Sequence, residues 1–133
     1  MKRPLLFIAF TVSCLLYSAY SHAQSVVYYC PQMGAIGYAF SNDEEGHDIK
    51  VLENKALKAC EQHGGKSCAV LYKSEKMGWG GIIKGRDVNG APLVLAVGHQ
   101  ESEKFARGEL KRAYLFRDGI EYNDVLVITW NAE

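Results

Sequence analysis

The stretch GAIGYAFSNDEEGHDIKVLENKALKACEQHGGKSCAVLYK, Gly34 to Lys73, carries a strand, a turn, a helix, a loop and a second strand in one unbroken pattern. In its first seven residues, small Ala35, Gly37 and Ala39 alternate with large Ile36, Tyr38 and Phe40. A period of two puts the two sets on opposite faces of a strand, and the small face is expected to lie beneath something close, such as a helix. The polar run SNDEEGHD then turns and ends in Asp48, a residue type suited to cap a helix. Ile49, Leu52, Ala56, Ala59 and Cys60 follow on one helical face, which predicts an amphipathic helix. CAVLYK reads as the next strand.

Further along, GWGGIIKGRDV and APLVLAV flank Asn89-Gly90. This pair predicts a hairpin with a type I′ turn, which needs positive φ at both central residues. Leu93 to Val97 is apolar on both faces and is expected as an interior strand. In HQESEKFARGELKRAY, Ala106, Leu110, Ala113 and Tyr114 share a helical face, with Ser102 as the expected cap. Glu103 and Arg107 form an i,i+4 pair of favourable order. Gly108 costs this helix about 1 kcal/mol relative to alanine, and a bend or a close approach to the sheet is expected there. DVLVITW closes the chain as another strand apolar on both faces. Strand, helix, strand therefore occurs twice, with Leu57 opposite Leu110 and Cys60 opposite Ala113. The expected architecture is one α+β domain: a two-layer sandwich of two amphipathic helices on one antiparallel-rich sheet, with a pseudo-repeat.

The chain begins MKRPLLFIAFTVSCLLYSAYSHAQ. Two cations, an apolar run from Leu5 to Leu16 and small residues at Ser21 and Ala23 form the layout of a secretory signal peptide over residues 1–23, with cleavage expected before Gln24. A lipoprotein acylated on Cys14 is the weaker alternative, because Thr11-Val12-Ser13 is a poor approach to it. The single domain is then 24–133. Of 15 basic and 15 acidic residues, only Lys2 and Arg3 fall in the leader, so 13 basic face 15 acidic afterwards, a net charge near −2. This balance argues against a nucleic-acid binder. With no second apolar segment long enough to span a bilayer, the mature form is expected to be soluble and periplasmic or secreted.

Cysteines of an exported chain pair more often than they bind metal. Cys60 and Cys68 are expected to form a disulfide across a loop that turns at Gly64-Gly65. Closing so short a ring constrains the unfolded chain by about 2.6 kcal/mol. A zinc site on Cys60, His63 and Cys68 lacks a fourth ligand, and a redox pair is more often Cys-x-x-Cys. Three fates stay open for Cys30: competing for one of these partners, joining a second copy of the chain as the odd cysteine of an exported protein, or remaining a small buried thiol.

GAIGYAF, KALKAC, SCAVLYK and GWGGIIKG together resemble the secreted bacterial family catalogued as domain of unknown function 4189. Its pattern is a Gly-Ala-Ile-Ala-Tyr-type strand, an alanine-rich helix ending in cysteine and a strand begun by cysteine. The likeness runs from about Met33 to Gly85 and more loosely to the C-terminus, where this chain lacks a second cysteine pair. It implies export and a disulfide-clasped α/β fold, and no activity.

No motif assembles a nucleophile with an oriented base. His99 ends a strand ahead of Glu101, and His47 has acidic neighbours; a small hydrolase using either is one alternative. The turn at Ser41–Asp48 resembles a calcium loop except that Leu52 stands where the bidentate glutamate belongs. No cofactor or metal is expected. Lys104, Arg107 and Lys111 form a helix stripe diluted by Glu103 and Glu109. The expected function is that of an exported interaction protein, an inhibitor or immunity partner of a toxin or envelope enzyme. Its partner surface is expected at Met77 and Trp79, with acidic Asp43, Glu44 and Glu45. A structural or stress-related envelope domain is the other alternative.

Overall fold

A computed structural model describes residues 23–43, 45–122 and 124–133. The leader expected over residues 1–23, apart from Ala23, lies outside these residues with Cys14, and so does Glu44. In chain order the elements are β1 (Ser25–Cys30), β2 (Ala35–Phe40), α1 (Ile49–Gln62), β3 (Ala69–Ser74), β4 (Gly78–Asp87), β5 (Pro92–Gln100), α2 (Glu103–Phe116), β6 (Gly119–Ile120) and β7 (Leu126–Ala132). All strand pairs are antiparallel.

The α+β class and the two capped helices match the sequence reading, but the layering does not. Two sheets form in place of one, ordered β2-β1-β3 and β5-β4 with β7 and the short β6 on the other side of β4. They face each other, and the helices cover the outer faces, giving the layers α1, sheet, sheet, α2. The physical reason lies in β1, whose run SVVYYC follows directly on the expected leader and carries no turn signal of its own. Val26 packs with Ala39, Leu52 and Ala56 beneath α1. Its neighbour Val27 points the other way, to Ile36, Ile82, Val94 and Trp130 between the sheets. A strand apolar on both faces needs a cover on each.

β2 behaves as its alternation requires. Ala35 and Ala39 lie toward α1, while Ile36, Tyr38 and Phe40 join the core between the sheets. A side chain at Gly37 would overlap the α1 backbone at Ala56 and Cys60, so glycine sets the helix-to-strand distance. Between the sheets, Tyr38 and Phe40 stack on Trp130 at centroid distances of 5.3 and 5.9 Å. The Trp130 Nε1–H donates to Ser25 Oγ at 2.9 Å, which satisfies the one polar atom that this ring buries.

Apart from the short β6, the second half repeats the first: two strands, a helix, a strand, with the first strand central each time. The helices align from their caps. Asp48 Oδ1 accepts from Lys50 N, and Ser102 Oγ accepts from Phe105 N. Buried Leu52, Ala56 and Cys60 then correspond to Ala106, Leu110 and Tyr114. The sequence alignment of Leu57 with Leu110 is thus off by one residue. The buried positions set the register, and Leu57 is only half-buried.

Three local expectations are corrected. Leu93–Val97 belongs to an edge strand, β5, because β4 takes the central place. It is apolar on both faces because Leu93, Leu95 and Val97 meet α2 while Val94 and Ala96 meet the other sheet. The hairpin before it is not a type I′ turn: Gly90 has φ 80°, and Asn89 is not in the positive-φ region. Instead Asp87 Oδ1 accepts from Asn89 N and Ala91 N at 2.9 and 3.0 Å, and Gly90 N donates to Asp87 O at 3.0 Å. This is a three-residue loop ending in a left-handed glycine. Gly108 does not approach the sheet, since a side chain there would meet nothing within 4 Å, and α2 continues through it from Glu103 to Phe116.

Candidate interaction face and cysteine cluster

Cys60 closes the buried face of α1, and Cys68 stands one residue before β3. The two are joined as a disulfide with a Cα–Cα distance of 6.4 Å. The loop between them turns at Gly64 (φ 96°) and tucks Gly65 over the bond, its N–H donating to Cys60 O at 3.1 Å. A side chain at Gly65 would overlap Cys68 Sγ. The His63 ring is engaged by backbone, its Nδ1–H donating to Ile36 O at 2.9 Å. Among the described residues no group of three or more His, Cys, Asp and Glu side chains is placed to hold a metal ion.

Cys30 is a free thiol, 1% exposed, in one cluster with Ala35 and Cys60 and packed against Cys68. It donates to Gln32 Oε1 at 3.4 Å. The backbone N–H of Met33, against the effect of burial and with help from those of Lys66, Ser67 and Gln32, draws its thiol below the ordinary cysteine value.

The expected partner residues gather at one end of the sandwich. Gly78 pairs with Ala132 and Trp79 with Asn131, while Glu133 N donates to Ser41 O at 3.1 Å. Met77 and Trp79 therefore share an end with the turn that holds Asp43 and Glu45. Met77 is 66% exposed, Trp79 is half-buried on β4, and Asp43 is exposed. Glu45 is engaged by Lys55 in an ion pair. His99 stands at the same end with φ 57°, and its Nδ1–H donates to Met77 O at 2.9 Å. That bond fixes the tautomer and links the ring to backbone. His47 is exposed beside the α1 cap.

The sequence reading missed two features of α2. The first is Tyr114, whose hydroxyl accepts from Arg86 N at 3.1 Å and has the carbonyls of Ile120 and Arg86 at 2.6 and 3.0 Å. It ties the helix end to β4 and β6. The second is the outer face of α2. Phe105, Leu115 and Phe116 are 57%, 47% and 85% exposed. Phe105, Arg112 and Phe116 fall along one line of the helix, and a shallow depression of about 290 Å³ opens between Phe105 and Arg112, above the bare Gly108. The corresponding line on α1 holds Val51, Lys58 and Gln62. The spacing of Phe105 and Phe116, opposite Ala106, Leu110 and Tyr114, was a readable signal of an apolar face pointing away from the core.

No family model, no curated protein and no solved structure matches this chain. No helix among the described residues is long and apolar enough to cross a membrane.

Proposed function

We propose that the chain is an exported interaction protein that docks a protein partner through the outer face of α2, as an inhibitor or immunity protein masking a secreted effector or envelope enzyme. The observation that carries this reading is Phe116, 85% exposed and aligned with exposed Phe105 on a helix whose other face is fully committed to the core. Large aromatic side chains at a surface are enriched in the buried centres of interfaces. Lys104 flanks the depression together with Arg112 and Glu109, which pair with each other at 2.7 Å, so the complementary surface is apolar with a rim of mixed charge. The end of the sandwich with Met77 and Trp79 is the second contact region of the same reading. Export follows from the leader pattern, and the disulfide is compatible with an oxidising compartment.

The test is capture from an envelope extract of the native host with purified wild type, a Phe105→Glu/Phe116→Glu double variant and Lys58→Glu on the corresponding line of α1. A partner held by wild type and Lys58→Glu but lost by the double variant supports the reading. A partner lost equally by Lys58→Glu, or one released only by Met77→Glu, moves the site away from α2. Finding the protein in the cytosol of fractionated cells, with residues 1–23 still attached, defeats the export premise.

A further inference from the structure

Three sulfurs converge on the helix-covered side of the first sheet. β1 and β3 run antiparallel with Tyr28 opposite Val70 and Tyr29 opposite Ala69. Carried one residue further, this register sets Cys30 opposite Cys68. Directly opposed residues of an antiparallel pair have Cα atoms roughly 4.5–5.5 Å apart, which lies inside the roughly 4.4–6.8 Å that a disulfide spans. The side chains also share a face. Val26 and Cys30 alternate onto the α1 side of β1, and Cys68 turns to that side to reach Cys60. Cys68 Sγ therefore stands between two thiol positions, one on the helix and one across the strand pair. Cys30 is already packed in one cluster with Cys60 and Cys68, the two ends of the clasp loop.

We propose that Cys30, Cys60 and Cys68 form an internal disulfide-exchange site in which the Cys30 thiolate attacks Cys68 Sγ. A Cys30–Cys68 bond forms, the Cys60–Cys68 bond breaks, and Cys60 leaves as a thiolate that takes up the proton Cys30 has lost. One disulfide and one thiol are present before and after, so no oxidant or reductant is consumed. The exchange moves the staple from helix-to-strand to strand-to-strand. It releases the C-terminal turn of α1, which otherwise is held over β2 by Cys60 and by the close approach at Gly37. The reverse attack by Cys60 restores the clasp.

The experiment uses the full chain on a Cys14→Ser background, equilibrated at pH 8 in a glutathione redox buffer, quenched with acid, alkylated and mapped without reduction. Trypsin cuts after Lys58, Lys66 and Lys73, so Cys60 and Cys68 fall on separate peptides, ACEQHGGK and SCAVLYK. The expected result is a Cys30–Cys68 linked pair beside the Cys60–Cys68 pair, with Cys60 becoming alkylated. In Cys30→Ala, Cys60 alkylation should fall at least about tenfold, because the attacking thiolate is gone. In Cys60→Ala, the Cys30–Cys68 bond should form completely and leave no thiol to label. Should Cys60→Ala retain its helix by circular dichroism while Cys30 and Cys68 both label, the proposal is overturned. Should that variant not fold, the wild type decides: Cys60–Cys68 as the sole linkage after prolonged incubation, or Cys60 labelling unchanged by Cys30→Ala, overturns it equally.

Discussion

The first half of the chain holds its helix end with a sulfur–sulfur bond, and the second half holds the corresponding end with a phenol. Cys60 and Tyr114 each stand twelve residues after their cap, at Asp48 and Ser102, and each is the last buried residue of its helix. Cys60 reaches forward to Cys68 and leaves a third sulfur beside it. Tyr114 reaches across to the backbone of β4 and β6, filling the space above Gly85 and Gly119, where a side chain would overlap its ring or hydroxyl. The same ββαβ arrangement thus accepts two unrelated staples. A covalent bond acts largely by restricting the unfolded chain. A buried tyrosine acts by packing and by satisfying backbone groups in the folded one. The later half thus anchors its helix end without sulfur.

Removing each staple tests that equivalence. Tyr114→Ala should be the most damaging single change, costing about 3–5 kcal/mol because a large buried side chain is lost, read as a lower midpoint in urea. Tyr114→Phe isolates the hydroxyl at about 1–3 kcal/mol, the cost of leaving the Arg86 and Ile120 backbone groups without their partner. Replacing both Cys60 and Cys68 with alanine should cost about 2.6 kcal/mol, less than Tyr114→Ala. If the double cysteine variant proves the weaker, the halves are not held in comparable ways.

The two helix-associated glycines sharpen the same contrast at smaller scale. Gly37→Ala pushes α1 off β2 and should destabilise by about 1–3 kcal/mol, as overpacking does. Gly108→Ala lies on the open face of α2 and should stabilise by up to about 1 kcal/mol. Equal effects in the same direction would mean that α2 is not free on its outer side.

The smallest effect concerns acid. The Thr129 hydroxyl, and after it Arg107, hold the Glu103 carboxyl below the usual glutamate range, tying the first turn of α2 to β7. A carboxyl with a depressed folded value stabilises above its unfolded value, about 4.3, and loses that contribution as pH falls through the folded value. Glu103→Gln should therefore flatten the acid limb of a stability-against-pH curve slightly, because the group is exposed. An acid limb as steep as that of wild type rejects the role. α1 has no counterpart, since its first turn carries no acidic residue.

Much of this was legible along the chain. Asp48 and Ser102 announce their helices, the Ala35–Gly37–Ala39 face announces the helix above it, and the spacing of Cys60 and Cys68 announces a clasp. The type of the Asn89-Gly90 turn was not legible, because Asp87 intervenes with its own side chain and draws the loop to three residues. Nor was the candidate site complete. Met77 and Trp79 were found as tip residues, but Phe105 and Phe116 were passed over in favour of the charges between them.

Local pattern determined the helices and their caps, the two-faced character of β2 and the pairing of Cys60 with Cys68. Tertiary structure alone decided that β1 is a central strand, that there are two sheets, that Cys30 and Cys68 pack in one cluster and that, among the described residues, Phe105 and Phe116 stay exposed. The division has a physical basis. Periods of 2 and 3.6 record how a residue faces relative to its near neighbours in the chain. Strand order and cross-strand register join residues tens of positions apart, and they are settled only when every apolar face has found a cover.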